Sequence, residues 1–89
     1  MVNKDKRKEV LVLTMEECGE LIQACSKVIR TMDDPDCDNK WVKNLQEEVG
    51  DVMCMVEILH MAGLVDEDKL MGRMKRKKKK LERWSTIFE

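Results

Sequence analysis

A short acidic phrase occurs twice in the chain. Glu16-Glu17-Cys18-Gly19-Glu20-Leu21 is echoed by Glu47-Glu48-Val49-Gly50-Asp51-Val52, each reading acid, acid, apolar, glycine, acid, apolar. Carboxylates three residues apart share one face of a helix. Two such helices side by side gather four carboxylates around one point. Like charges about 4 Å apart repel by roughly 4 kcal/mol at an effective dielectric of 20, so a gathered set must take up protons or bind a cation. Mg2+ takes oxygen ligands, keeps some of its waters and bridges to substrate phosphates. The doubled phrase therefore predicts a divalent-metal site.

The elements that must position these acids are helices. Leu11, Met15, Cys18, Ile22, Cys25 and Ile29 recur at spacings of four and three, which predicts one continuous helix from about Lys6 to Arg30. Pro35 and the acidic cluster around it, from Asp33 to Asp38, mark a turn, and Asp38 or Asn39 is placed to cap the next helix. That second helix is predicted over Lys40 to Ala62, with the stripe Leu45, Val49, Val52, Val56 and Leu59, and Gly63 as its stop. Asp66 is an N-cap for a third helix, about Glu67 to Ser85, carrying Leu70, Met74, Leu81 and Trp84. No strand pattern appears, so the fold class is all-α, and the short connections favour antiparallel neighbours.

Projection at about 100° per residue divides the acids. With Met15 at zero, a second apolar set (Val10, Leu13, Leu21, Ala24, Val28) falls near 160–240°, Glu17 at about 200° and Glu20 at about 140°. With Leu45 at zero, Glu48 falls at about 300° and Asp51 at about 240°, on a face shared with Trp41, Asn44, Met55, Ile58 and Ala62. Glu17, Glu20, Glu48 and Asp51 thus point inward, whereas Glu16 and Glu47 are peripheral. Pairing with surface lysines suits the peripheral acids; it does not explain why the inward set occurs twice. A di-iron site would want a His three residues after each Glu. His60 follows Glu57 at that spacing only once and near a polar flank, so it reads as an ordinary surface residue. Gly19 and Gly50 each cost about 1 kcal/mol relative to alanine inside a helix, and close helix approach beside the acids would account for them.

Cations form the complementary set. Arg73 to Arg83 holds eight basic residues against one acid, Glu82. Most of that run reads as solvated, but Lys77 falls at about −20° from Leu70, on the apolar stripe, which predicts a core position and an anionic partner, either a carboxylate or a phosphate. Arg73 and Lys80 flank it. Lys27 shares the angle of Glu20 two turns on and is within reach of a phosphate. Trp41 lies near the face of Glu48 and could stack a nucleobase, although packing is the commoner use of such a tryptophan.

Bulk properties narrow the class. At 89 residues, 39% charged and with a net charge of −1, the chain reads as one domain, residues 1–89, with a modest core that helical chains of this size enlarge by association. Cys18, Cys25, Cys37 and Cys54 form no CxxC pair, so free buried thiols in a reducing cytoplasm are expected. The longest clean apolar run, Val10 to Leu13, is too short for a membrane span or a signal core. A cytoplasmic protein without a membrane partner is the expectation.

The pattern Glu16-Glu17-x-x-Glu20 followed by Glu48-x-x-Asp51 resembles the MazG-like all-α nucleoside triphosphate pyrophosphohydrolases. The stretches MEECGELIQACSK and NLQEEVGDVMCMVEIL, and the late KLERW, resemble the short single-domain type, from about Leu11 to Trp84. The resemblance implies Mg2+-dependent hydrolysis of a nucleoside triphosphate to monophosphate and pyrophosphate, with Mn2+ as a substitute ion and nucleotide-pool housekeeping as the role. It implies Glu17, Glu20, Glu48 and Asp51 as metal ligands, with Glu16, beside Glu17 in the catalytic pair, either supporting the ligands from behind or helping to orient the attacking water. It implies three-helix subunits in a four-helix-bundle-type homodimer or homotetramer, with active sites near the subunit contacts. The dense lysine run departs from many relatives, so the family's phosphate contacts do not carry over to it, and Lys77, Arg73, Lys80, Lys27 and Trp41 are candidate substrate contacts from the residues' own chemistry alone. Two alternatives stand beside this reading. One is a phosphoribosyl-ATP pyrophosphohydrolase-like enzyme. The other is a non-enzymatic module binding nucleic acid through the basic helix, the less favoured partner.

Overall fold

A computed structural model describes residues 2–36 and 40–89. The chain enters through a single 3-10 turn, Lys4–Lys6, whose first backbone N–H groups are met by Asn3 Oδ1 accepting from Asp5 N at 2.9 Å. Beyond it lie three helices: α1, Arg7–Thr31; α2, Lys40–Met61; and α3, Glu67–Trp84. All three match the predicted spans to within a residue or two at each end, and no strand occurs among the described residues. The predicted cap at Asp38 or Asn39, and Cys37, lie outside the described residues.

The helix ends arise from local chemistry. Met32 N donates to Val28 O at the end of α1, and Asp34 Oδ1 accepts from Asp36 N in the turn beyond. At the end of α2, Gly63 N donates to His60 O and Leu64 N to Leu59 O, both at 3.0 Å. These two bonds make a Schellman motif, and Gly63 supplies its left-handed residue at φ +73°. Asp66 caps α3 as predicted, its carboxylate accepting from Lys69 N at 3.0 Å.

α1 and α2 pack as an antiparallel hairpin. Arg7 at the start of α1 donates its Nε–H to Ala62 O at 3.0 Å, beside the end of α2. The buried residues are Val10 and Ala24 of α1, Met55 of α2 and Ala62 just beyond it. These belong to the apolar faces that also carry the inward acids. The hairpin therefore closes on its acid-bearing faces, and the more regular stripe of α1 is left outside. Met15 is 73% exposed, and Ile22 and Ile29 are each 70% exposed.

The folded chain corrects several expectations. Short connections predict α3 antiparallel on its neighbour, yet it does not pack against α1 or α2 and buries no residue. Lys77 consequently is exposed, where its angle predicts a core position; the stripe it interrupts is not buried by any of the described residues. Cys18, Cys25 and Cys54 are free thiols, as expected, but exposed rather than buried, because Cys18 and Cys25 lie on the outer stripe of α1. A Cβ added to Gly19 or Gly50 would meet nothing within 4 Å, so close helix approach inside the subunit does not account for either glycine.

Candidate metal centre

The acids meet across the hairpin because i, i+3 spacing puts each pair on one helix face and the antiparallel register sets the pairs opposite each other. Glu17, Glu48 and Asp51 bring one carboxylate oxygen each to within 4.8 Å of the others. Glu17 and Glu48 are half-buried, and Asp51 is exposed. Glu20 is exposed and outside that triad, close enough to Glu48 to raise that carboxyl's pKa. Glu16 and Glu47 are exposed, in keeping with their peripheral angles.

The electrostatics are unfavourable without a counter-ion. Glu17 Oε2 and Glu48 Oε2 are buried with no hydrogen-bond partner, whereas buried polar atoms are ordinarily paired. Burial raises the pKa of Glu17 above its ordinary value, and the charges of Asp51, Glu20 and Glu16 raise it further. Glu48 is raised in the same way, first by burial, then by the charges of Glu20, Asp51 and Glu17. A divalent cation fits this donor set: it would complete the two orphaned oxygens and offset the mutual repulsion. The set contains neither histidine nor cysteine, which suits Mg2+ or Mn2+ over softer metals. His60 stays clear of the cluster, its Nδ1 lying 3.3 Å from Val65 O.

A separate recess lies further along the hairpin, toward the turn between the helices. Lys27 Nζ lies 5.0 Å from the centre of the Trp41 ring, and Lys40 Nζ lies 5.0 Å from it as well. Lys27, Arg30, Thr31 and Trp41 line this recess. The predicted substrate contacts thus separate into two groups. Lys27 and Trp41 come together on the hairpin, two turns along it from the acids, while Arg73, Lys77 and Lys80 are exposed on α3. Arg30 and Thr31 escaped the sequence reading. Arg30 stands three residues after Lys27, the spacing that puts both on one face, and that signal was available.

The chain matches the MazG nucleotide pyrophosphohydrolase domain over residues 6–83. No curated protein and no solved structure matches it. The matched span includes all three helices up to Arg83 and every acid of the centre. A doubled carboxylate pair on an antiparallel helical hairpin, within a sequence that matches over nearly its whole length, makes this chain a member of the MazG nucleotide pyrophosphohydrolase family.

Proposed function

We propose that the protein is a Mg2+-dependent nucleoside triphosphate pyrophosphohydrolase, with Mn2+ as a substitute ion, producing nucleoside monophosphate and pyrophosphate. The observation that carries the reading is the pair of orphaned buried oxygens, Glu17 Oε2 and Glu48 Oε2, on facing helices beside Asp51. Glu17, Glu48 and Asp51 would hold the metal, with Glu20 beside them. A metal held there supplies Lewis acidity, a water of lowered pKa and positive charge against the phosphates.

The side chains divide the remaining work. Glu16, exposed next to Glu17, orients the attacking water and accepts its proton. The water oxygen bonds to phosphorus, α in the expectation for the family, as the bond to the bridging oxygen breaks and pyrophosphate departs. Lys27 and Trp41 contact the substrate further along the hairpin. Lys77, Arg73 and Lys80 stabilise the departing pyrophosphate once α3, from this chain or a second copy, is brought against the hairpin.

Association completes the reading. The accessible surface of the chain is 7731 Å², against roughly 5400 Å² for a folded monomer of this mass. Its radius of gyration is 16.1 Å, against about 12 Å for a compact chain of this length. A homodimer or dimer of dimers that covers the outer stripe of α1 and the stripe of α3 would account for both excesses.

Pyrophosphate release from a panel of ribo- and deoxynucleoside triphosphates, with phosphoribosyl-ATP alongside, tests the reading. Release is expected with Mg2+, and is expected to vanish with EDTA and in Glu17→Ala or Asp51→Ala with circular dichroism unchanged. Absence of release from every compound would sink it. Salt-sensitive nucleic-acid binding that is indifferent to Glu17→Ala would instead favour a binding module.

A further inference from the structure

The recess further along the hairpin carries a specificity of its own. Lys27 stands two turns after Glu20, and Trp41 two turns before Glu48, each on the face of its acid. That places the recess about 10 Å along the helices from the carboxylates, a separation comparable with the reach from a nucleotide's phosphates to its base. One wall is the indole of Trp41, with Lys27 Nζ and Lys40 Nζ each over the ring; a base stacks on this flat surface by displacing a lysine head from the face to its own edge.

The polar groups around that wall are almost all donors. Lys27 and Arg30 carry only N–H donors, and the indole nitrogen of Trp41 also only donates. Thr31 Oγ1 donates its proton to Lys27 O at 2.9 Å, which leaves its oxygen as the one side-chain acceptor among the described residues that line the recess. Of the carbonyls at the end of α1, Val28 O accepts from Met32 N and Thr31 O from Asp34 N. A base stacked on Trp41 therefore meets cationic donors along its edge. Uracil, thymine, guanine and hypoxanthine present a carbonyl oxygen where cytosine and adenine present an amino group. A carbonyl gains a charge-assisted bond. An amino group faces other donors and stays unpaired.

We propose that the Lys27–Arg30–Trp41 recess binds the base of the nucleotide and selects keto-bearing bases over amino-bearing ones. This rests on the pyrophosphohydrolase reading for its choice of a nucleotide ligand. The indole wall argues for a base over a phosphate in this recess, and the phosphates are already provided for at the carboxylates.

Matched pairs test it, because UTP with CTP, and ITP with ATP, differ in the keto–amino exchange and in the proton on the adjoining ring nitrogen, and in nothing else. The expected result is a kcat/KM for pyrophosphate release about tenfold higher for UTP and ITP, with Lys27→Met bringing both ratios toward one. Equal or better turnover of CTP and ATP overturns the proposal. So does a Lys27→Met variant that slows all four nucleotides alike, the mark of a phosphate contact. A second readout does not need turnover. In Trp84→Phe the only indole left is Trp41, and UMP and IMP are expected to quench its fluorescence at lower concentration than CMP and AMP. That order of quenching without any hydrolysis would keep the recess and remove the hydrolase reading, whereas hydrolysis without discrimination would do the reverse. Neither quenching nor hydrolysis would remove both.

Discussion

Glu17 and Glu48 combine partial burial, an orphaned oxygen and a raised pKa. Their upward shift sets the sign of the pH response. Folding makes both groups bind protons more tightly than the unfolded chain does, so they destabilise the metal-free protein at neutral pH. Their penalty is absent below the ordinary value of 4.5 and grows as pH rises through their folded values. Without metal, thermal denaturation is expected to show a higher melting temperature at pH 5 than at pH 7, with added Mg2+ removing the difference. A melting temperature that falls monotonically on acidification, with or without metal, would contradict the assignment. Glu17→Gln with Glu48→Gln separates stability from function. The metal-free protein is expected to melt at a higher temperature than wild type, to lose its stabilisation by Mg2+, and to lose about 100-fold or more in pyrophosphate release.

Each helix has ends that its own residues explain, and faces that they do not rank. The Gly63 stop is the clearest of the ends. A side chain there would adopt a left-handed conformation that costs roughly 1–2 kcal/mol, and its Cβ would meet Arg7 Nη2 at 3.2 Å. Arg7 is the residue that ties the start of α1 to Ala62 O. Gly63→Ala is therefore expected to lower the melting temperature by about 4–8 °C for each kcal/mol lost; an unchanged melting curve would show that the turn is not under this constraint. The faces are less determinate. α1 carries two apolar stripes, and the one bearing Glu17 is the one that packs, although the other is the more regular in sequence. α3 has a narrow stripe broken by Lys77 and surrounded by cations, which limits the apolar area it can offer to the hairpin.

The subunit as a whole exposes more surface than a chain of its size retains when it folds alone. Trp84 at 82% exposure and the outer stripe of α1 are the visible parts of that excess. Large contiguous apolar patches mark interaction sites, and the association proposed above would cover these residues. Wild-type protein is expected to elute as a dimer or tetramer in size-exclusion chromatography with light scattering. Ile22→Glu with Ile29→Glu, both on the outer stripe and away from the acid-bearing face, is expected to elute with the mass of one chain. A wild type already of single-chain mass would refute the association. The same experiment bears on α3, because its cations reach the hairpin of a second copy only in an assembled form.

The three helices, their caps at Asp66 and Gly63, and the inward placing of Glu17 and Glu48 could be read from the amino-acid order, whereas Glu20 and Asp51, expected inward by angle, are exposed at the rim of the hairpin. What could be read is local: apolar periodicity, a side chain reaching a nearby N–H, and i, i+3 geometry act within a few residues. The choice between the stripes of α1, the detachment of α3, the exposure of the cysteines and the meeting of Lys27 and Arg30 with Trp41 came from the folded chain. These depend on pairings across the turn between α1 and α2, where faces of similar apolar content compete. Periodicity finds such faces, but only the packed hairpin shows which pair is buried, and with it which carboxylates lose their water.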